Sequence, residues 1–260
     1  MIVSLDPRGR RTTPNDRSDA LEQWLKTMRQ LGVDVDVKFE TERALLGNAA
    51  VLGGHLSALK AGVGMGRPQV INRLARDAGT FEGAVALITA LVAGQTPELL
   101  ASTEDILRRA LDRAYLLAAD AFASRGDDLL KILSPAHKRI VADITEAYDQ
   151  IPGGTTGLEQ AARRGAADAW IALERACAEL DQVQDLLAGW YRDGILKHRG
   201  RRPLKDYSPA ELMFADYSEV VRIRTDAYRT DEPAIMLTAR CVAAGRPALR
   251  TTTQVDRAAA

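Results

Sequence analysis

The residues able to carry chemistry in this 260-residue chain are few: three histidines, two cysteines and scattered carboxylates. His55, His137 and His198 lie far apart, and none has a second ligand three or four residues away, the spacing that puts two metal ligands on one helix face. The Glu-x-x-His signature that di-iron bundles place on two helices is absent. So are a phosphate-binding lysine loop, a nucleophile elbow and an EF-hand loop. Gly62, Gly64 and Gly66 precede a helical stretch near Val70 and would let backbone amides approach an anion. They follow a helix rather than a strand and lack the later acidic partner, so a plain turn is the better reading. Cys177 and Cys241 have no neighbouring histidine in sequence, too few sulfurs for a disulfide framework, and helical positions that suit small buried apolar groups. No metal, no cofactor and no catalytic residue is expected. An enzyme would have to gather His55, His137, Asp120 and Asp143 into one pocket through the fold, and this is the third-ranked reading.

Two segments have the chemistry to meet nucleic acid. Lys197, Arg199, Arg201, Arg202 and Lys205 form a basic run without an acid, set between two helices. Such a loop neutralises phosphates without reading sequence, and the arginines of the first 17 residues would assist it. The spacing of Ala75, Gly79, Val85 and Ile88 fits a helix-turn-helix, yet the reading positions hold Phe81, Glu82, Gly83, Ala86 and Leu87 instead of base-contacting side chains. Two helices packed across a glycine turn account for the same pattern.

The elements that would position these residues are nearly all helical. Residues 1–17 read as a flexible arm. Ser18 then caps a helix with Leu21, Trp24, Leu25, Met28 and Leu31 on one face, and Gly32 stands where a left-handed cap is wanted. Val33, Val35, Val37 and Phe39 alternate with charged residues, the period of a strand with one wet face. A lone strand cannot satisfy its own backbone, so these four residues form a candidate interaction edge; an extended linker packed on a helix is the alternative. Uncharged runs at 44–59 and 83–97 fall short of the roughly 20 residues that span a bilayer and are expected as buried core helices.

Ser102 caps a helix over 103–125, stopped by Gly126, and Ser134-Pro135 opens one that ends near Gln150. Asp127-Asp128 reads as a helix cap with first-turn charge rather than a magnesium site. The Pro152–Gly157 stretch is the strongest linker signal. Beyond it, residues 158–193 form one long helix of about 50 Å at 1.5 Å per residue. Its heptad seam carries Trp170, Leu173, Cys177, Leu180, Leu187 and Tyr191, interrupted by Gln184. The seam needs a partner: the helix opened by Ser208-Pro209-Ala210-Glu211, other helices, or another subunit. A helix over about 233–244 ends at Gly245-Arg246-Pro247.

The fold class expected is therefore mainly α: a multi-helix bundle with one long coiled-coil-like helix and at most one or two short strands near 33–39. The expected organisation is an arm at 1–17, an N-terminal helical domain over 18–151, a C-terminal helical hairpin or bundle over 158–245, and a flexible tail over 246–260. With 35 basic and 35 acidic side chains the net charge is zero, against a surface that coats nucleic acid or membrane as a whole. Arginine exceeds lysine about four to one, a coding bias of the kind found in a GC-rich bacterium or its phage. The N-terminus lacks a basic segment followed by an apolar one, so a cytoplasmic location is expected, or a virion if phage-encoded. The leading functional reading is a non-enzymatic structural or interaction subunit of a larger assembly, with a protein partner or self-association and no membrane. A nucleic-acid-associated subunit using the basic loop is the alternative.

Overall fold

A computed structural model of the chain describes residues 14–63, 97–196, 209–227 and 232–258. The arm through residue 13, the glycine run from Gly64, the second uncharged run up to residue 96, the helix-turn-helix match and the basic loop 197–205 lie outside these residues. Among the described residues there are eleven helices and no strand, so the mainly-α expectation holds. In chain order they are α1 (Pro14–Gln30), α2 (Val35–Lys38), α3 (Glu40–Val63), α4 (Pro97–Ser124), α5 (Asp128–Asp149) and α6 (Leu158–Arg163). They continue with α7 (Ala167–Arg192), α8 (Pro209–Met213), α9 (Tyr217–Ala227), α10 (Ala234–Ala244) and α11 (Thr252–Ala258).

The chain divides into two compact units, one made of residues 1–23 and 39–122, the other of 24–38 and 123–260. In the first, Phe39 stacks on Phe122 with ring centroids 5.5 Å apart, and Leu21, Ala49, Ala114 and Ala118 are buried. The second is built on α5 and α7. Leu129, Leu133, Ala136, Ile140 and Ile144 of α5 recur at three and four spacing and are buried, so one face of that helix is committed to the core. Helix α10 packs against both α5 and α7, α9 against α10, and α8 against α7. Arg139 ties three segments together: its guanidinium meets Asp143 on its own helix at 2.8 Å, Glu179 of α7 at 2.5 Å and the Leu31 carbonyl at 3.5 Å.

The segment 33–39 expected as a strand is instead a capped helical turn, so it offers no strand edge. Gly32 sits at φ +83°, donating to Arg29 O while Val33 donates to Met28 O, the paired bonds that close a helix through a left-handed residue. Val33 and Met28 are both buried, as that closure favours. The Asp34 carboxylate then accepts from Val37 N–H at 3.2 Å and caps α2. A strand would put Val33, Val35, Val37 and Phe39 on one face. Here Val35 and Phe39, four apart, are buried and Val37 is 70% exposed, the signature of a helical turn.

Four further expectations are corrected. The first helix starts at Pro14 rather than Ser18, so the end of the expected arm is helical, with proline at the first position where its missing N–H costs nothing. Helix α5 starts at Asp128 and carries Pro135 inside it; the apolar period running through Leu129, Leu130 and Leu133 outweighs the bond that Pro135 cannot donate. The long helix is two helices: Gly165 at φ +74° breaks the chain after α6, leaving α7 with 26 residues, about 39 Å. The expected flexible tail is docked, with Ala248 N–H donating to Met213 O, Arg250 N–H to Leu212 O, an isolated bridge between Phe214 and Pro247, and Thr252 and Val255 of α11 buried. The Pro152–Gly157 linker is a turn within the second unit.

Candidate functional site

The heptad seam is the core of the second unit. Trp170, Leu173, Cys177, Leu180, Leu187 and Tyr191 are all buried, together with Ala169, Ala176, Val183, Leu186 and Trp190. That stripe is wider than the narrow a/d seam of a coiled coil and matches a helix sunk into a globular core. It is covered by α5, α10 and α8 of the same chain. The Cys177 thiol, for example, donates to Ile235 O at 3.8 Å. Burial, reinforced by Asp181, pushes that thiol up to about 12, and burial also raises Cys241. Thiols held protonated in this way are not nucleophiles at neutral pH.

The residues named for an enzymatic pocket are divided between the two units. His55 lies on α3 and Asp120 on α4, both in the first unit, whereas His137 and Asp143 lie on α5 in the second. His137 is 2% exposed and its Nε2 has no hydrogen-bond partner among the described residues. Burial lowers its pKa to about 4, so the ring is neutral at physiological pH. Asp143 is engaged by Arg139. Among the described residues no group of three His, Cys, Asp or Glu side chains is placed to hold a metal ion. The basic residues Lys197, Arg199, Arg201, Arg202 and Lys205 are outside the described residues.

What sequence reasoning missed lies on α3. The uncharged run from residue 44 was expected inside a core, yet of residues 44–57 only Ala49 is buried. Ala44, Gly47, Val51 and Gly54, at three and four spacing along one stripe, are exposed, and Val51 shows 46% of its surface. A Cβ added at Gly47, Gly53 or Gly54 would meet no described atom within 4 Å, so no packing within the described residues requires glycine there. On α4, Ile106 is 63% exposed and Leu117 is also open. The signal was present as the absence of charge over 44–59, but period alone does not say whether a second surface of the same chain covers a helix face.

No helix among the described residues is long and apolar enough to cross a membrane. No family model, curated protein or solved structure matches the chain.

Proposed function

We propose that this protein is a non-enzymatic helical subunit that associates with a second copy of itself through the uncharged face of α3, as an element of a larger assembly. The observation that carries this reading is the exposure of Ala44, Gly47, Val51 and Gly54 along a helix with no charged residue between positions 44 and 57. In a two-fold contact each surface patch meets its own copy, so any charge near the axis meets its own sign. An uncharged stripe avoids that repulsion. Glycine inside a helix costs roughly 1 kcal/mol relative to alanine, and α3 carries four, at positions 47, 53, 54 and 62. Close approach of a second helix gives that cost a purpose. At 24 residues α3 is about 36 Å long and about 10 Å wide, so it contributes on the order of 360 Å² per partner. That is below the roughly 600 Å² per partner at which stable specific interfaces begin, which implies a weak, reversible, concentration-dependent dimer unless α4 contributes as well.

Light scattering over a range of roughly 10 μM to 1 mM tests this. The mass rises with concentration from 28.3 kDa toward about twice that value. Val51→Asp, which brings two carboxylates together at the axis, stays at the monomer mass with unchanged helicity. A wild-type protein that remains at 28.3 kDa throughout, or a variant that associates as well as wild type, overturns the reading.

A further inference from the structure

In the second unit, the turn from α5 to α6 and the start of α10 surround an open cleft of about 660 Å³, within the range of sites that bury small organic ligands. Ile151, Pro233 and Met236 supply apolar wall, and Thr155 is held in place by its own hydroxyl donating to Pro152 O at 2.5 Å. Three charged side chains line it: Asp149, Glu232 and Arg240. Arg240 donates to Glu232 at 2.5 Å, so these two cancel. Asp149 has no hydrogen-bond or ion-pair partner among the described residues, so the described lining carries one net negative charge. An anion would have to displace Glu232 from Arg240 and face Asp149 as well. A cation meets an available carboxylate without breaking anything. Tyr148, next to Asp149 in sequence, adds an aromatic side chain to the lining.

We propose that this cleft binds an organic monocation, an ammonium or guanidinium on an apolar body, with the charge at Asp149 and the body against Ile151 and Met236. The same chemistry is carried by a free amine and by a lysine or arginine side chain of a peptide. Arg164 is not part of the lining but braces the turn, donating to Gly153 O at 2.9 Å and Thr155 Oγ1 at 3.3 Å. Its positive charge tempers the field, and Asp149 is exposed, so the preference for a cation is modest, about fivefold.

The full chain, ¹⁵N-labelled, is titrated with 2-phenylethylammonium, with its neutral isostere 2-phenylethanol, and with the blocked tripeptide acetyl-Leu-Arg-Leu-amide. Amide shifts of Gly153 to Thr156 are followed. The ammonium ion binds about fivefold more tightly than the alcohol, and Asp149→Asn removes that difference while leaving alcohol binding in place. Tighter binding of the tripeptide than of the amine assigns the source to a peptide side chain; the reverse assigns it to a free amine. Equal affinity for ammonium and alcohol, an undiminished preference in Asp149→Asn, or no shift at these amides with any cation overturns the proposal. Because the readout is local to the second unit, it is independent of self-association through α3.

Discussion

Acid should unfold this protein in a way that depends on one side chain. His137 is buried on α5 with its Nε2 unpartnered among the described residues, and burial lowers its pKa from 6.5 to about 4. In the unfolded chain the ring takes up a proton near its ordinary value; in the folded chain it resists until near 4. Between those values the unfolded state binds more protons, so stability falls as the pH drops through that window. The sign is that of a histidine buried neutral. At 1.36 kcal/mol per unit, the full difference of about 3.4 kcal/mol is reached only well below pH 4; about 3 kcal/mol is lost at pH 4 and about 2 kcal/mol already at pH 5. His137→Leu fills the space with an apolar group, removes a buried nitrogen without a partner, and abolishes this contribution. Urea unfolding followed by far-UV circular dichroism at pH 7.5, 6 and 5 gives the stability of both proteins, and the difference between them cancels the titration of carboxylates common to both. The wild type should lose about 2 kcal/mol more than the variant between pH 7.5 and pH 5. Parallel pH profiles for the two proteins would refute the argument, because they would mean that the ring titrates alike in the folded and unfolded chain.

Two glycines in different surroundings should respond with opposite sign. A Cβ at Gly245 would lie 2.6 Å from Val220 Cγ2, 2.7 Å from Cys241 O and 2.8 Å from Phe214 Cδ1, so Gly245→Ala should cost about 2 to 3 kcal/mol by thermal or urea melts. Gly47→Ala, whose added Cβ meets no described atom within 4 Å, should gain roughly 0.5 to 1 kcal/mol in melts run at concentrations where the protein is monomeric; a loss there would contradict the exposed helix described above. Burial and the raised thiol of Cys177 predict that iodoacetamide at pH 7.5 labels it about a thousandfold more slowly in the native protein than in urea. Native labelling at the rate of a free thiol would show that α10 does not cover this part of α7.

Much of the helical punctuation was legible because it is local. The end of α1 at Gly32 depends on backbone bonds reaching back only to Arg29 and Met28, and α10 is bounded by Pro233 and Gly245 as expected. Asp127 does occupy the cap position of α5, although its side chain makes no capping bond. The misread segments are those where two local patterns compete. Alternation over 33–39 fits a strand as well as a turn capped by Asp34, and the choice fell to the turn because Val35 and Phe39 are buried while Val37 is not. The apolar positions of α7 were likewise visible, but whether they serve another chain or this one was not. The candidate site was less legible still: absence of charge marked α3, and nothing in its period announced that it would remain exposed.

The sequence by itself determined that the chain is helical and where several helices stop, as at Gly32, Gly126 and Gly245, since caps and left-handed glycines act over five residues or fewer. Only the tertiary structure decided which faces are spent in the core and which are left over. That choice rests on side chains far apart in the chain: Arg139 meeting Glu179 and the Leu31 carbonyl, Cys177 meeting Ile235, the tail meeting Leu212 and Met213. The cleft beside Asp149 arises in the same way, because residues 148–156 and 232–240 become neighbours only once α10 packs against α5 and α7. Burial depends on the sum of all such encounters, and a periodic pattern records the capacity of a face to be buried without naming what buries it.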